Sequence, residues 1–213
     1  MGKQQGLQNN DLSKIISLNI YGTDINKEFI SFCRKYITQK IYGVPSVKSR
    51  IKVTRKDFLS IDKKEVFDII IGNPPYGIPG NDRHYPIIFT REQKLKYKKY
   101  FQTWKGKYNI YALFIEQGLN LLKKGGRLAF IVPATFMILD DFEKLRKYLS
   151  VVGKFEIEYL GHNIFKDALV STVLLKITKG GRGLILRNGQ YYFEQEYYDG
   201  DLIRFDNYFT KNL

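Results

Sequence analysis

The sequence predicts an α/β fold, built on a doubly wound and mostly parallel sheet with an antiparallel strand pair at one edge. Segments with the length and apolar character of strands alternate with segments whose apolar residues recur at helical spacing. The run VFDIII (residues 66–71) is almost continuously apolar, which is typical of a parallel strand buried on both faces. Residues 155–160 instead alternate apolar and acidic side chains, which indicates a strand with one wet face.

The first half of the chain contains three predicted strands and one helix. An apolar run predicts a strand at residues 15–23. Asn26 offers an N-cap for an amphipathic helix at residues 27–40. A short strand follows at residues 51–53. The strand at residues 66–71 then ends sharply at a Gly-Asn-Pro-Pro sequence, whose residue types terminate strands.

The second half begins with a long helix. Its apolar residues run from Tyr111 to Leu122 at spacings of three and four, which predicts one core-facing stripe. Gly125 and Gly126 are predicted to form its C-terminal cap. The remaining elements are a strand, a helix and an antiparallel pair of strands, at residues 128–132, 142–149, 155–160 and 171–177 respectively.

Composition narrows the classes of function. The 213 residues include 35 Lys and Arg against 21 Asp and Glu, so the net charge is 35 − 21 = +14, which favours a polyanionic partner. Aromatic residues make up 15% of the chain and provide faces for stacking bases, or alternatively fill the core. One cysteine and two histidines argue against a metal site. No apolar run approaches the ~18 residues of a membrane span, so we expect a cytoplasmic protein without a membrane partner.

Three polar turns follow predicted strands, at residues 23–24, 56–58 and 72–76. The carboxyl ends of parallel strands meet at one edge of a sheet, where ligands of doubly wound folds bind. The sharpest of these turns is Asn73-Pro74-Pro75-Tyr76, called below the Asn-Pro-Pro-Tyr turn. Its prolines remove two backbone donors and stiffen the backbone. A carboxamide oxygen, backbone carbonyls and a flat ring suit an amino group on a planar base or an amide. An ordinary turn is the alternative, because Asn-Pro pairs commonly begin turns.

The runs YGTDI, KDF and IIIGNPPYG resemble the adenine-N6 DNA methyltransferases of restriction–modification systems. The later runs KYNIYALFIEQGLNLLKKGGRLAFIVPATFM and STVLLKI are similar to segments that follow in those enzymes, so the resemblance covers residues 20–177. It implies a Rossmann-like methyltransferase sheet with S-adenosylmethionine as cofactor. The implied reaction is methyl transfer to the exocyclic amino group of an adenine flipped out of double-stranded DNA.

The resemblance also implies roles for individual residues. Asp24, with Ile25 beside it, would bind the ribose hydroxyls of the cofactor, and Asp57 with Phe58 would bind its adenine. The Asn-Pro-Pro-Tyr turn would hold the target amino group and stack on the base. Further substrate contacts are implied for one aromatic residue and four lysines, namely Phe165, Lys94, Lys96, Lys98 and Lys99. For Asp24, Asp57 and these five residues a structural or solvated role is the alternative.

Members of this family carry a glycine-rich cofactor loop ahead of the YGTDI segment, and residues 1–19 contain no match to it. We therefore expect a partial catalytic domain at residues 1–179 that lacks its first strand. Residues 180–213 would begin a linker or a target-recognition region, and another chain or further segments would supply the missing parts. Two other functions stay open. One is an inactive or accessory DNA-binding fragment, and the other is a protein-glutamine N-methyltransferase, since such enzymes share the Asn-Pro-Pro-Tyr sequence.

Overall fold

The computed structural model describes residues 15, 17–37, 39, 51–77, 89–104, 110–161, 164, 170–189 and 191–195. The chain divides into two compact units, Met1–Asp62 and Lys63–Leu213, which are described separately as the first and the second unit. The described helices include none that is long and apolar enough to cross a membrane.

The first unit contains a two-stranded parallel sheet and a helix. Strand β1 (Tyr21–Asp24) pairs with strand β2 (Lys52–Arg55). Residues 15 and 17–19 are helical, so the strand predicted at residues 15–23 is wrong in its first half. The side chain of Asn19 donates to the carbonyl oxygen of Ile15 over 2.9 Å, a contact across one helical turn. A short apolar run fits a helix as well as a strand, which explains the error.

Helix α1 (Lys27–Tyr36) begins where the sequence predicts. The side-chain oxygen of Asn26 accepts hydrogen bonds from the backbone N–H groups of Glu28 (2.7 Å) and Phe29 (3.3 Å), so the predicted N-cap is confirmed. The α-helix ends at Tyr36, and residues 37 and 39 are π-helical, while the predicted limit, residue 40, lies outside the described residues. Ile30 is its buried residue, whereas the side chains of Phe29 and Tyr36 are more than half exposed.

The second unit contains a six-stranded sheet in the order β3-β4-β6-β5-β7-β8. Its strands are β3 (Phe67–Gly72), β4 (Leu122–Pro133), β5 (Gly153–Gly161), β6 (Thr172–Lys179), β7 (Leu184–Asn188) and β8 (Tyr191–Gln195). Its helices are α2 (Arg91–Tyr100), α3 (Tyr111–Leu121) and α4 (Glu143–Val152). Strand β3 is parallel to β4, and β5 is parallel to β7. The α/β fold with an antiparallel strand pair is confirmed.

The sequence predicts that the antiparallel pair of β5 and β6 closes one edge of the sheet. This prediction is wrong, because both strands lie inside the sheet. Strand β6 lies between β4 and β5, and β7 pairs with the far side of β5. The four residues between β6 and β7 cross the start of β5. Gly180 and Gly183 have φ angles of +83° and +107° there, and a Cβ on Gly181 would lie 2.9 Å from the Cβ of Lys154. The sheet therefore continues past residue 179, while a recognition role for residues 180–213 stays a prediction.

Strand β3 differs from the fully buried strand that its sequence predicts. Ile70 packs against the core, but the side chains of Ile69 and Ile71 are 68% and 78% exposed. Among the described residues, β3 has a partner strand on one side, β4, and lies at the edge of its sheet. Its β-branched residues predicted the strand correctly, but they do not reveal which neighbours cover it.

Helix α3 forms the centre of the core. Tyr111, Ile115 and Leu119 are fully buried on it, and a Cβ on Gly118 would lie 2.5 Å from a methyl group of Leu128 in β4. The helix ends at Leu121 and β4 begins at the next residue. The predicted glycine cap is therefore wrong: residues 125–126 lie within β4, where the register with β3 shifts between Phe67 and Ile69.

Candidate functional site

The polar turns of the first unit lie at one edge of its sheet. Because β1 and β2 are parallel, their carboxyl ends are adjacent, and the backbone N–H of Lys56 donates to the carbonyl oxygen of Asp24 over 3.0 Å. Asp24 and Ile25 therefore lie beside the turn that carries Asp57 and Phe58. The sequence predicts that three polar turns meet at one edge of a sheet, and the structure shows this for the two turns of the first unit.

Asp24 is half-buried at the end of β1. Its Oδ1 accepts a hydrogen bond from the backbone N–H of Asn26 over 2.7 Å, which orients the carboxylate. Capping of α1 falls to Asn26, so Asp24 is not required for that role. The guanidinium of Arg55 donates to the carbonyl oxygen of Ile25 over 2.9 Å, and the side chain of Ile25 is 69% exposed. The turn thus presents a carboxylate next to an exposed apolar side chain.

Asp57 has a structural role of its own. Its Oδ1 accepts from the backbone N–H of Leu59 over 3.0 Å and caps the short 3₁₀ turn Phe58–Ser60. The hydroxyl of Ser60 donates to the carbonyl oxygen of Asp57 over 2.8 Å. Asp57 and Phe58 are both half-buried. Carboxylates accept hydrogen bonds from hydroxyl and amino groups, so the acceptors on these two turns fit the hydroxyls of a ribose and the amino group of an adenine.

The Asn-Pro-Pro-Tyr turn lies in the second unit, directly after β3. Asn73 and Pro75 are exposed, Pro74 is buried and Tyr76 is half-buried. The hydroxyl of Tyr76 lies 2.6 Å from Oδ1 of Asn73 and 2.9 Å from the carbonyl oxygen of Ile131 in β4. The turn is therefore attached to the strand that runs parallel to β3, at the carboxyl end of the pair.

Aromatic rings of the core pack against the tyrosine of this turn. The ring of Tyr76 meets the ring of Tyr111 edge to face, with centroids 6.3 Å apart, and Tyr111 stacks on Phe142 at 5.1 Å. Burial raises the pKa of Tyr76 to about 12, so its hydroxyl keeps its proton at neutral pH. Burial also raises the pKa of Tyr111, whose hydroxyl lies 3.2 Å from that of Thr135. Sequence reasoning placed Tyr111 in the core stripe but did not connect it, Ile131 or Thr135 with the site.

The predicted lysines lie on α2. This helix has a capping box of Thr90 and Gln93, and its buried residue Tyr97 faces Phe101. Four exposed lysines lie along it, Lys94, Lys96, Lys98 and Lys99. Phe165 lies outside the described residues.

A buried carboxylate holds the segment that follows α2. Glu116 of α3 is 2% exposed, and its two oxygens accept from the backbone N–H groups of Gln102 (3.1 Å) and Thr103 (2.9 Å). No sequence pattern predicts this contact, because Glu116 has the residue type and spacing of an ordinary helix residue. Within the described part of the chain, no group of three or more His, Cys, Asp or Glu residues could hold a metal ion.

Comparisons of the sequence with known proteins agree with one another. Residues 18–163 match the family described as Eco57I restriction-modification methylase. The type II methyltransferase M.TthHB8I of Thermus thermophilus is 46% identical over 166 residues, which are 74% of this chain and 39% of that protein. The type II restriction enzyme and methyltransferase RM.Eco57I of Escherichia coli is 33% identical over 149 residues, 67% of this chain and 14% of that protein. The chain thus spans less than half the length of these relatives.

Solved structures share the fold. A putative class I S-adenosylmethionine-dependent methyltransferase from Listeria monocytogenes matches with a TM-score of 0.57 and 23% identity, over 80% of this chain and 49% of that one. A nuclease-deletion mutant of the Type ISP restriction-modification enzyme LlaGI, in complex with a DNA substrate mimic, matches with a TM-score of 0.68 and 15% identity. That match covers 99% of this chain and 21% of the other.

Proposed function

This chain belongs to the Eco57I restriction-modification methylase family, its cofactor is S-adenosylmethionine, and we propose that it methylates the exocyclic amino group of adenine in double-stranded DNA. The observation that carries this proposal is the Asn-Pro-Pro-Tyr turn, which presents an exposed carboxamide beside a half-buried tyrosine ring at the carboxyl end of β3. The resemblance of the surrounding segments to adenine-N6 enzymes supports adenine as the target.

The cofactor would be held by the turns of the first unit. The half-buried carboxylate of Asp24 suits the two ribose hydroxyls, and the exposed side chain of Ile25 offers an apolar surface next to them. Asp57 would accept from the adenine amino group of the cofactor, with the ring of Phe58 against the base. When bound, S-adenosylmethionine supplies an electrophilic methyl group on a sulfonium.

The target amino group would be held by two oxygens, the carboxamide oxygen of Asn73 and the carbonyl oxygen of Pro74. The lone pair of an adenine amino nitrogen is delocalised into the ring, which makes it a poor nucleophile. Acceptors on both N–H bonds favour a more tetrahedral nitrogen with its lone pair directed away from the ring. Positive charge develops on that nitrogen during transfer, and dipoles fixed in advance by the rigid Pro74-Pro75 backbone stabilise it.

An adenine within a duplex hides its amino group in the base pair, so the base must leave the stack at an expense of a few kcal/mol. Stacking of the flipped base on the ring of Tyr76 would offset ~1–3 kcal/mol of this free energy. The resemblance implies that Phe165 would stack on the other face of the flipped base. A DNA substrate also implies that the protein works in the cytoplasm, at the nucleoid.

The four lysines of α2 would bind phosphates. Each neutralised phosphate adds about −0.9 to the slope of log affinity against log salt concentration for B-form DNA. Replacing all four lysines by glutamine should therefore weaken DNA binding and make the slope less steep by up to about 3.6. A matched control replaces Lys123, Lys144, Lys147 and Lys154, which lie outside α2. An equal loss of slope in both sets would contradict a specific role for α2.

The proposed reaction is tested with tritiated S-adenosylmethionine and unmethylated DNA. We expect label in N6-methyladenine, and a fall in kcat of about 10²–10³-fold for Asn73→Ala, the range for removing one preorganised polar contact to the transition state. Asn120→Ala, in α3, is the matched control and should keep wild-type activity. Label in glutamine side chains of protein would favour the protein methyltransferase. Absence of transfer together with absence of cofactor binding in calorimetry would favour an accessory fragment.

A further inference from the structure

The hydroxyl of Tyr76 lies within hydrogen-bonding distance of two acceptor oxygens but has one proton to donate. It carries one proton, but Oδ1 of Asn73 lies at 2.6 Å and the carbonyl oxygen of Ile131 at 2.9 Å. A backbone carbonyl can only accept. The carboxamide of Asn73 can do either, because its NH₂ group donates and its oxygen accepts.

A half turn of the carboxamide about its Cβ–Cγ bond removes this conflict. The NH₂ group of Asn73 then donates to the oxygen of Tyr76, and the single proton of Tyr76 goes to the carbonyl oxygen of Ile131. Every donor in this chain of contacts has one acceptor. The oxygen and nitrogen of a carboxamide occupy almost the same positions in the two orientations, so the pattern of donors and acceptors decides between them.

We infer that the hydroxyl of Tyr76 is a positioning group that accepts a hydrogen bond from Nδ2 of Asn73 and thereby directs Oδ1 of Asn73 toward the amino group to be methylated. This inference rests on the proposed function and extends it, since it gives the hydroxyl a task separate from stacking by the ring. In the opposite orientation, the donor face of Asn73 would meet the donor face of the amino group, and the two would repel.

The surroundings of Tyr76 suit such a task. The carbonyl oxygen of Ile131 belongs to a central strand, so it is a fixed acceptor. The edge-to-face contact with Tyr111 limits the movement of the ring. Because burial raises the pKa of Tyr76 to about 12, the hydroxyl remains a donor to Ile131 throughout the pH range of an assay.

The first test is Tyr76→Phe, which keeps the ring and removes the hydroxyl. We expect kcat to fall about tenfold, the value of one neutral hydrogen bond, with KM for DNA unchanged. Flipping of the target base, measured with 2-aminopurine at the target position, should be retained because the ring still stacks. Tyr148→Phe, in the same core cluster, is the matched control and should match the wild type. A wild-type kcat for Tyr76→Phe would overturn the inference but leave the proposed function standing.

The second test does not depend on activity. In protein labelled with ¹⁵N-asparagine, the side-chain NH₂ signal of Asn73 is assigned by its absence from Asn73→Ala. We expect one of its protons to exchange slowly with water in the wild type and at least tenfold faster in Tyr76→Phe. Equal exchange in the two proteins would show that Asn73 does not donate to Tyr76 and would overturn the inference, whether or not the protein methylates DNA.

Discussion

The buried carboxylate of Glu116 provides a sensitive test of how the second unit holds α2. Its two oxygens accept from consecutive backbone N–H groups, those of Gln102 and Thr103, just beyond the C-terminal end of the lysine-bearing helix. The substitution Glu116→Gln keeps the size and shape of the side chain. It replaces one acceptor oxygen by an NH₂ group, so that a hydrogen-bond donor then faces a backbone N–H group, which is also a donor.

The expected loss of stability follows from these two contacts. One charge-assisted hydrogen bond is lost, and one buried N–H group is left without an acceptor, a combination worth ~2–3 kcal/mol. For a protein of this size, that corresponds to a fall in Tm of roughly 4–12 °C. The site is 2% exposed, so water cannot easily replace the missing acceptor.

Urea unfolding followed by circular dichroism measures this loss directly. Glu143→Gln is the matched control, because Glu143 forms an exposed ion pair with Lys147 at i,i+4 and should change the free energy of unfolding by less than about 0.5 kcal/mol. Hydrogen exchange at the amide of Thr103 should accelerate in Glu116→Gln alone. A free energy of unfolding within 0.5 kcal/mol of the wild type for Glu116→Gln would refute the reasoning.

Two further predictions concern β5. A Cβ at Gly153 would lie 2.3 Å from the carbonyl oxygen of Thr178, so Gly153→Ala should lower the free energy of unfolding by ~1–3 kcal/mol in a urea titration, and a neutral effect would contradict the close approach. Partial burial raises the pKa of Glu156, but hydrogen bonds from Lys176 and Arg187 outweigh it and hold the pKa below its ordinary value of 4.5. A lowered pKa stabilises the folded state above 4.5, and this contribution is lost as the pH falls. Glu156→Gln should therefore be less stable than the wild type at pH 7, with a difference that shrinks below pH 4.5; a constant difference would argue against the linkage.

Much of the fold could be predicted because local patterns report local structure. The stripe from Tyr111 identified α3, and Asn26 identified the start of α1. The resemblance to restriction–modification methyltransferases is confirmed by the family match over residues 18–163. Each of these signals resides in a contiguous segment, so no knowledge of distant neighbours was needed.

The errors arise where distant neighbours decide. The apolar residues of β3 predicted burial on both faces, but exposure depends on which strands lie beside it. Gly125 and Gly126 have the residue type of a helix cap, yet pairing with β3 extends β4 back to Leu122. The short apolar run at residues 15–19 fits two kinds of secondary structure equally well.

The candidate site shows the same division. Asn73 and Tyr76 were predicted as site residues from a four-residue sequence, and the structure shows that their side chains contact each other. The carbonyl oxygen of Ile131, 55 residues away, completes that contact, and no sequence pattern marks a backbone oxygen. The functional roles of Asp24, Asp57 and the lysines remain predictions.

Residues 180–183, which join β6 to β7 and cross the start of β5, affect how this protein can be shortened for experiments. Strand β7 is the sheet neighbour of β5 on the side away from β6. Cutting the chain after Lys179 would therefore remove β7 and expose the backbone hydrogen-bonding groups of β5 to solvent. Open edges of this kind recruit strands from other molecules and promote aggregation. Fragments should therefore extend at least through Gln195, which retains the β7–β8 hairpin.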